Sequence, residues 1–276
     1  MTSRMFDAMI LSSSLFVSII FVWITGDVLL KGLVHLSWDF LISAPENSGR
    51  SGGIGPILVS TAALLFIALS VAIPLGLATA IWLSEFAKDN ERFATITSLT
   101  LDVLAGIPSI VYGLFGNAFF CVFLGLGFSI LSGGLTLAFM ILPVFIRTCE
   151  AGLSAVNTHW RQGGHALGIT RISTVWHILL PAASPAIIAG LILSIGRATA
   201  ETAALIFTSG YVDRMPGSVM DSGRALSVHI YDLSMNVTGG DQAAYTSALT
   251  LICIIIVLNI SAQIIMNRWL HRRIVK

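Results

Sequence analysis

Six stretches of this sequence are each apolar for about 20 residues, and no other feature constrains the fold as strongly. A hydrocarbon core about 30 Å thick offers no water to backbone N–H and C=O groups, so a run that crosses it must satisfy them internally, as a helix. The runs fall at residues 9–30, 57–83, 93–115, 130–146, 182–207 and 243–266. Composition agrees. Of 276 residues only 11% are charged and 55% are hydrophobic, whereas a soluble domain carries about 25% charged residues. The expectation is an all-α, polytopic membrane protein with six transmembrane helices in one domain, 1–276. A shorter apolar piece at 119–128, "FFCVFLGLGF", cannot span and is expected to be interfacial or re-entrant. The first run is read as a retained span, because "VWITGDVLLKGL" follows it where a signal peptide would have small residues for cleavage.

Basic residues orient the spans. With the N-terminus inside, the inner parts hold Arg4, Lys88, Arg92, Arg147, Arg161, Arg171, Arg268, Arg272, Arg273 and Lys276, against Lys31, Arg50, Arg214 and Arg224 outside. Both termini are therefore expected in the cytoplasm. The long cytoplasmic loop, 148–181, mixes polar and apolar residues at helical spacing and is expected to dock onto a partner. The long external loop is 208–242.

Two charges lie inside the fifth run, "LILSIGRATAETAALIF" at 191–207. On one continuous helix, Arg197 and Glu201 would share a face as an i,i+4 pair. An arginine at a helix centre costs about 2.5–3.5 kcal/mol on insertion scales, so the pair is not expected to face lipid. Two readings stand: an ion pair that only fixes geometry, or a cation on a substrate path with Glu201 holding it in place. Gly190, Ser194, Ala198 and Thr202 recur every four residues as a small-residue packing stripe. Asp102 and Arg147 match in depth, so they either pair or leave Arg147 as an anchor at the lipid headgroups.

Several chemistries are excluded. A P-loop needs a Gly-Lys pair, and Lys31, Lys88 and Lys276 all follow other residues. The chain therefore has no nucleotide site of that type, and a partner would have to supply ATP hydrolysis. Cys121, Cys149 and Cys253 are scattered, with no metal-binding spacing, and no cofactor is expected. The net charge of +1 gives no reason to expect nucleic acid.

The segment "RQGGHALGITRISTVWHILLP" resembles the EAA loop of binding-protein-dependent ABC importer permeases. Gln162, Gly163 and Gly164 occupy the E-A-A positions, Gly168 is the spaced glycine, and Leu180 and Pro181 close the motif. Gln replaces the acidic residue, and the Gly pair weakens the helix by roughly 1 kcal/mol per residue against Ala. "LAGIPSIVYGLFG", "ILPVFIRTCEAGLSAV" and "GRATAETAALIFT" resemble phosphate-specific permeases, and "RMPGSVMDSGRALSVHIYDLSMN" resembles their PstA type. The family-like core spans 57–270. The resemblance implies a type I importer fold, transport rather than enzymatic function, and a bacterial inner-membrane location. It implies a PstC-type permease partner, two PstB-type ATPases carrying ATP and Mg, and an external PstS-type phosphate-binding protein. It also links Arg147, Arg197 and the neighbouring Glu201 to transport. The rival readings are a permease for another oxyanion, and a secondary ion-coupled transporter that uses Arg197 and Glu201 as its relay.

Overall fold

The computed structural model describes residues 2–87 and 91–274. Helix α1 (Thr2–Leu33) is followed by the short α2 (Trp38–Ile42) and a small antiparallel hairpin, β1 (Pro45–Glu46) and β2 (Ser51–Gly52). Helix α3 (Gly55–Ile81) starts with Pro56, whose missing N–H is no loss in a first turn, and ends in a π-helical turn, Trp82–Phe86. Then come α4 (Glu91–Gly106), α5 (Ser109–Gly116), α6 (Ile130–Ala155), α7 (Thr158–Ala166) and α8 (Arg171–Thr174). The chain closes with α9 (Leu180–Ala200), α10 (Ala203–Ile206), α11 (Leu226–Met235) and α12 (Asp241–Ile274). Among the described residues four helices are long and apolar enough to cross a membrane, and the number rises to six if each of two bent pairs is one span.

The bends correct the expected spans. The third run is two arms, Arg92–Gly106 and Ser109–Phe123, meeting at 103°. Pro108 supplies no N–H and disfavours helical backbone at Ile107, so the helix stops there. The Leu104 carbonyl, which residue 108 would have bonded, accepts instead from the Ile107 N–H at 3.1 Å and from the Tyr112 hydroxyl at 2.9 Å. The apolar piece from residue 119 is not separate but continues α5 as a π-helical stretch, Asn117–Phe123. At the start of the fifth run a 70° bend joins it to a helical arm, Arg171–Ala182, that the sequence reading places in a loop; there Pro185 lacks the N–H that Pro181 would accept and the Ser184 hydroxyl donates to that carbonyl instead, at 2.7 Å. The fifth run also ends at Ala200 rather than 207. Helix α6 runs on to Ala155, so the loop expected from residue 148 starts eight residues later.

Helices α3, α6 and α9 form the centre. Toward one end Leu64, Ala68 and Ala72 of α3 pack on Leu137, Ala138 and Ile141 of α6 and Ala198 of α9. Toward the other, Ala80, Phe145, Cys149 and Leu153 pack on Leu179, Ala183 and Ile187. Small residues bring the backbones close, as membrane helices require in the absence of a hydrophobic drive between them. A Cβ on Gly134 would lie 2.7 Å from the Ile67 Cβ, and one on Gly152 would lie 2.2 Å from the Ala186 Cβ. Gly190, Ser194 and Ala198 are buried as the stripe predicts, but Thr202 lies past the end of α9.

Helix α1 presents apolar side chains around its whole circumference, and none of its most apolar window is buried. It leans on α12, where Asp27 accepts from Lys31 at 2.9 Å and from the Tyr245 hydroxyl at 3.0 Å. The N-terminal turn of α6 is closed by the long loop after α10. Ser129, Ile130 and Leu131 donate their N–H groups to the carbonyls of Thr208, Asp221 and Val219, satisfying donors that a helix start leaves open. Helix α11 packs on α3 and α12, and its first N–H donates to Thr61 at 2.9 Å.

The α3–α6 contact gives a direct test. Gly134→Val should destabilise the purified protein by about 1–3 kcal/mol through overpacking, read as a lower thermal midpoint. Gly106→Ala, whose added Cβ meets nothing within 4 Å, should leave that midpoint unchanged.

Candidate functional site

The expected site residues separate into a clamp, an unpartnered cation and a platform. The clamp is Arg147 on α6, about 12 Å from the α7 end of that helix. Its guanidinium grips Asp102 on α4 through two nitrogens, with Nε at 2.8 Å from Oδ1 and Nη2 on Oδ2. Nη1 donates to Glu150 at 2.9 Å, and Nη2 donates to the Ser98 carbonyl at 2.9 Å. The pairing with Asp102 is therefore made, and Arg147 is not a free headgroup anchor. With two carboxylates around it, Arg147 has little positive charge left for an anion.

Arg197 stands about 26 Å along α9, in its last turn, and is partly buried. Its charge lies within electrostatic reach of the Tyr112 phenol on α5. Among the described residues it makes no hydrogen bond or ion pair. Here the structure corrects the sequence reading. An i,i+4 pair needs continuous helix, but Glu201 has extended backbone, φ −73° and ψ 129°. Its carboxylate turns away to accept from the Ala204 N–H at 3.3 Å, capping α10, while its carbonyl accepts from the Ser227 hydroxyl at 2.5 Å. Glu201 thus braces a helix break and does not neutralise Arg197. The break is packed tightly: a Cβ on Gly113 of α5 would lie 2.8 Å from the Ala204 backbone.

The platform is α7 and the turn after it. Asn157 caps α7 by accepting from the His159 N–H at 2.9 Å. Gln162 is exposed and lies 3.3 Å from His159 Nδ1. Gly163 faces open space, whereas a Cβ on Gly164 would meet Thr174 of α8 at 2.8 Å. Gly168 has φ +70° and ends the helix in a left-handed turn, with its N–H donating to His165 and that of Ile169 to Gly164. Leu180 is buried and Pro181 sits in the first turn of α9. Around this turn, Trp160 and Leu167 are 57% and 78% exposed, and Ile172 and Trp176 are also exposed.

Two ionic groups escaped the sequence reading. Glu85, in the π-helical turn after α3, binds Arg161 of α7 through both carboxylate oxygens, at 2.6–3.1 Å. The side chains are only 7% and 15% exposed. At the α11 end, Arg224 donates to the Tyr211 carbonyl at 2.8 Å and lies 3.2 Å from Asp232 and 3.9 Å from Asp213. His229 beside it is buried, and burial, then the Arg224 charge, push its imidazole down to about 4, so it is neutral at pH 7. The only signal for either group was an acid and a base in segments far apart in sequence. Among the described residues no cluster of three or more His, Cys, Asp or Glu could hold a metal.

Gly168 yields a prediction that separates backbone from bulk. Nothing lies within 4 Å of its added Cβ, so Ala and Trp there should destabilise the α7 turn alike, by about 1–2 kcal/mol from the left-handed backbone alone. Asn, which tolerates that conformation, should lose less. Limited proteolysis at the α7–α8 turn measures this, and a defect confined to Gly168→Trp would show that bulk is what matters.

Comparison with known proteins places this geometry. The pattern of the family described as binding-protein-dependent transport system inner membrane component matches residues 72–276. A probable ABC transporter permease of Bacillus subtilis, YqgI, is 30% identical over 275 residues, covering 94% of this chain and 92% of its own. The phosphate transport system permease PstA 1 of Mycobacterium tuberculosis is 32% identical over 250 residues, 88% of this chain and 82% of that one. Among solved structures, a bacterial ABC transporter involved in the import of the acidic polysaccharide alginate superposes with a TM-score of 0.65 at 13% identity, over 94% of this chain and 95% of that chain. The inward-facing MetNI methionine ABC transporter gives 0.56 at 17%, over 80% and 94%. Identities this low speak for a shared fold alone.

Proposed function

The chain belongs to the binding-protein-dependent transport system inner membrane components and is a multi-pass inner-membrane permease subunit of an ABC importer, and from that premise we propose that its cargo is phosphate. Relatives named phosphate transport system permease PstA support this cargo. The observation that carries it is Arg197, a partly buried cation with no ionic partner among the described residues. A phosphate bears between one and two negative charges and cannot enter hydrocarbon unaided. At about 4 Å and an effective dielectric near 20, one arginine attracts a monoanion by about 4 kcal/mol. That is comparable with the roughly 2.5–3.5 kcal/mol needed to insert the arginine. The site therefore holds the anion without trapping it, provided that the attraction weakens when the path opens to water. Arg147, clamped by two acids, keeps α4 registered on α6 beside that path.

The exposed faces of α4 and α5, rich in Phe and Leu, suit a homologous PstC-type permease as the other half of the pathway. The α7 platform, with Trp160, Gln162, Gly163 and Leu167 presented outward, suits one of two PstB-type ATPases, which would bind ATP and Mg. This orientation puts α7 and both termini in the cytoplasm. The loop 208–242 then faces outward, toward a PstS-type binding protein.

The test compares Arg197 with Glu201. Arg197→Gln should assemble normally and lower phosphate uptake at least tenfold at matched protein level. Glu201→Gln keeps an oxygen that can cap α10 and should retain most uptake. The double variant should behave like Arg197→Gln. Recovery of uptake in the double variant would show that the two residues serve only as a charge pair and would sink the assignment of Arg197 to the anion.

A further inference from the structure

Helix α7 has little grip on the bundle. Of its residues only Gly164 is buried, and that contact is with Thr174 of the short α8 that follows. A push on the outward face of α7 would swing such a helix about its ends unless something ties it to the spans. One side chain does. Arg161 spends every arm of its guanidinium inward: Nε and Nη2 on the Glu85 carboxylate, Nη2 on the Leu153 carbonyl at 2.8 Å, and Nη1 on the Val156 carbonyl at 2.7 Å.

Those acceptors belong to different elements. Glu85 ends the α3 span, in a π-helical turn whose wider winding leaves Leu83, Ser84 and Glu85 all buried. Leu153 is in the last turn of α6, where its carbonyl also accepts from the Val156 N–H at 3.2 Å, and Val156 is the C-cap, whose carbonyl points past the helix end. The fork geometry lets a single planar group on α7 bond two further elements at once, the end of α3 and the end of α6, which a lysine's point charge cannot do. The pair borders a cavity of about 150 Å³ lined also by His165, Arg171, Thr174 and Leu179, so α7 is not packed solidly against the bundle beside it.

We propose that the Glu85–Arg161 bridge is the coupling strut of this permease, the link through which displacement of α7 by its ATPase moves α3 and α6 as a unit. These two residues are positioning residues and touch neither cargo nor nucleotide. The inference rests on the reading of α7 as the ATPase platform.

The experiment uses the whole transporter, reconstituted in liposomes with its ATPase and binding protein, and measures labelled phosphate taken up per ATP hydrolysed. Glu85→Gln and Arg161→Lys should still carry the ATPase and still hydrolyse ATP, with uptake per ATP lowered at least tenfold. A role in folding alone would scale uptake and hydrolysis together and leave the ratio unchanged. A ratio within twofold of the unmodified protein in whichever variants assemble would therefore overturn the proposal. So would loss of ATPase association in both, which would make the bridge a builder of the docking surface, or failure of both to reach the membrane, which would make it a folding element. If the unmodified chain retains no ATPase at all, the platform reading fails instead, and that control distinguishes the two failures.

Discussion

A group that can hydrogen-bond cannot be left unanswered in hydrocarbon, and the structure is organised by that constraint. Where the helices run whole, they answer their own backbone and pack through small residues. Where they break, a specific side chain steps in: Tyr112 for the Leu104 carbonyl, Ser184 for that of Pro181, Ser227 for that of Glu201. The break between α9 and α10 adjoins Arg197 and the one before α5 precedes Tyr112, which feels its charge, whereas the bend at Ser184 lies about 20 Å away along α9. The uninterrupted contact of α3 with α6 forms the frame against which these parts are held.

The same constraint sorts the arginines. Arg147, Arg161 and Arg224 are each met by carboxylates and carbonyls, and each ties one element to another. Their charge is used up in holding the fold. Arg197 differs in being placed without such an answer among the described residues, and its nearest acid in sequence is committed to capping the next helix. Under the proposed function, that open charge is where the transported anion would be met.

Much of this was legible in the sequence. The four straight candidate spans follow from run length, the stripe Gly190–Ser194–Ala198 from its spacing, and the α7 turn from Gly168. The failures share a cause. Apolar content does not distinguish a straight span from one broken at Pro108 or Glu201, since both halves of a broken span are equally apolar. Reading 182–207 as one helix is what made Arg197 and Glu201 look like partners. Glu85 and Arg161 lie 76 residues apart, and only the return of α7 beneath the end of α3 brings them together. Arg147 was the intermediate case: depth alone permitted its bond to Asp102, but nothing in one sequence could choose it over an anchoring role.

Which protein touches α7 decides which way the molecule faces. A single cysteine at Trp160, exposed on the outer face of that helix, should be labelled by a membrane-impermeant thiol reagent only from the cytoplasmic side, and in the assembled transporter it should crosslink to the ATPase. Labelling of that cysteine from outside, or crosslinking to the external binding protein instead, would invert the molecule and contradict the account.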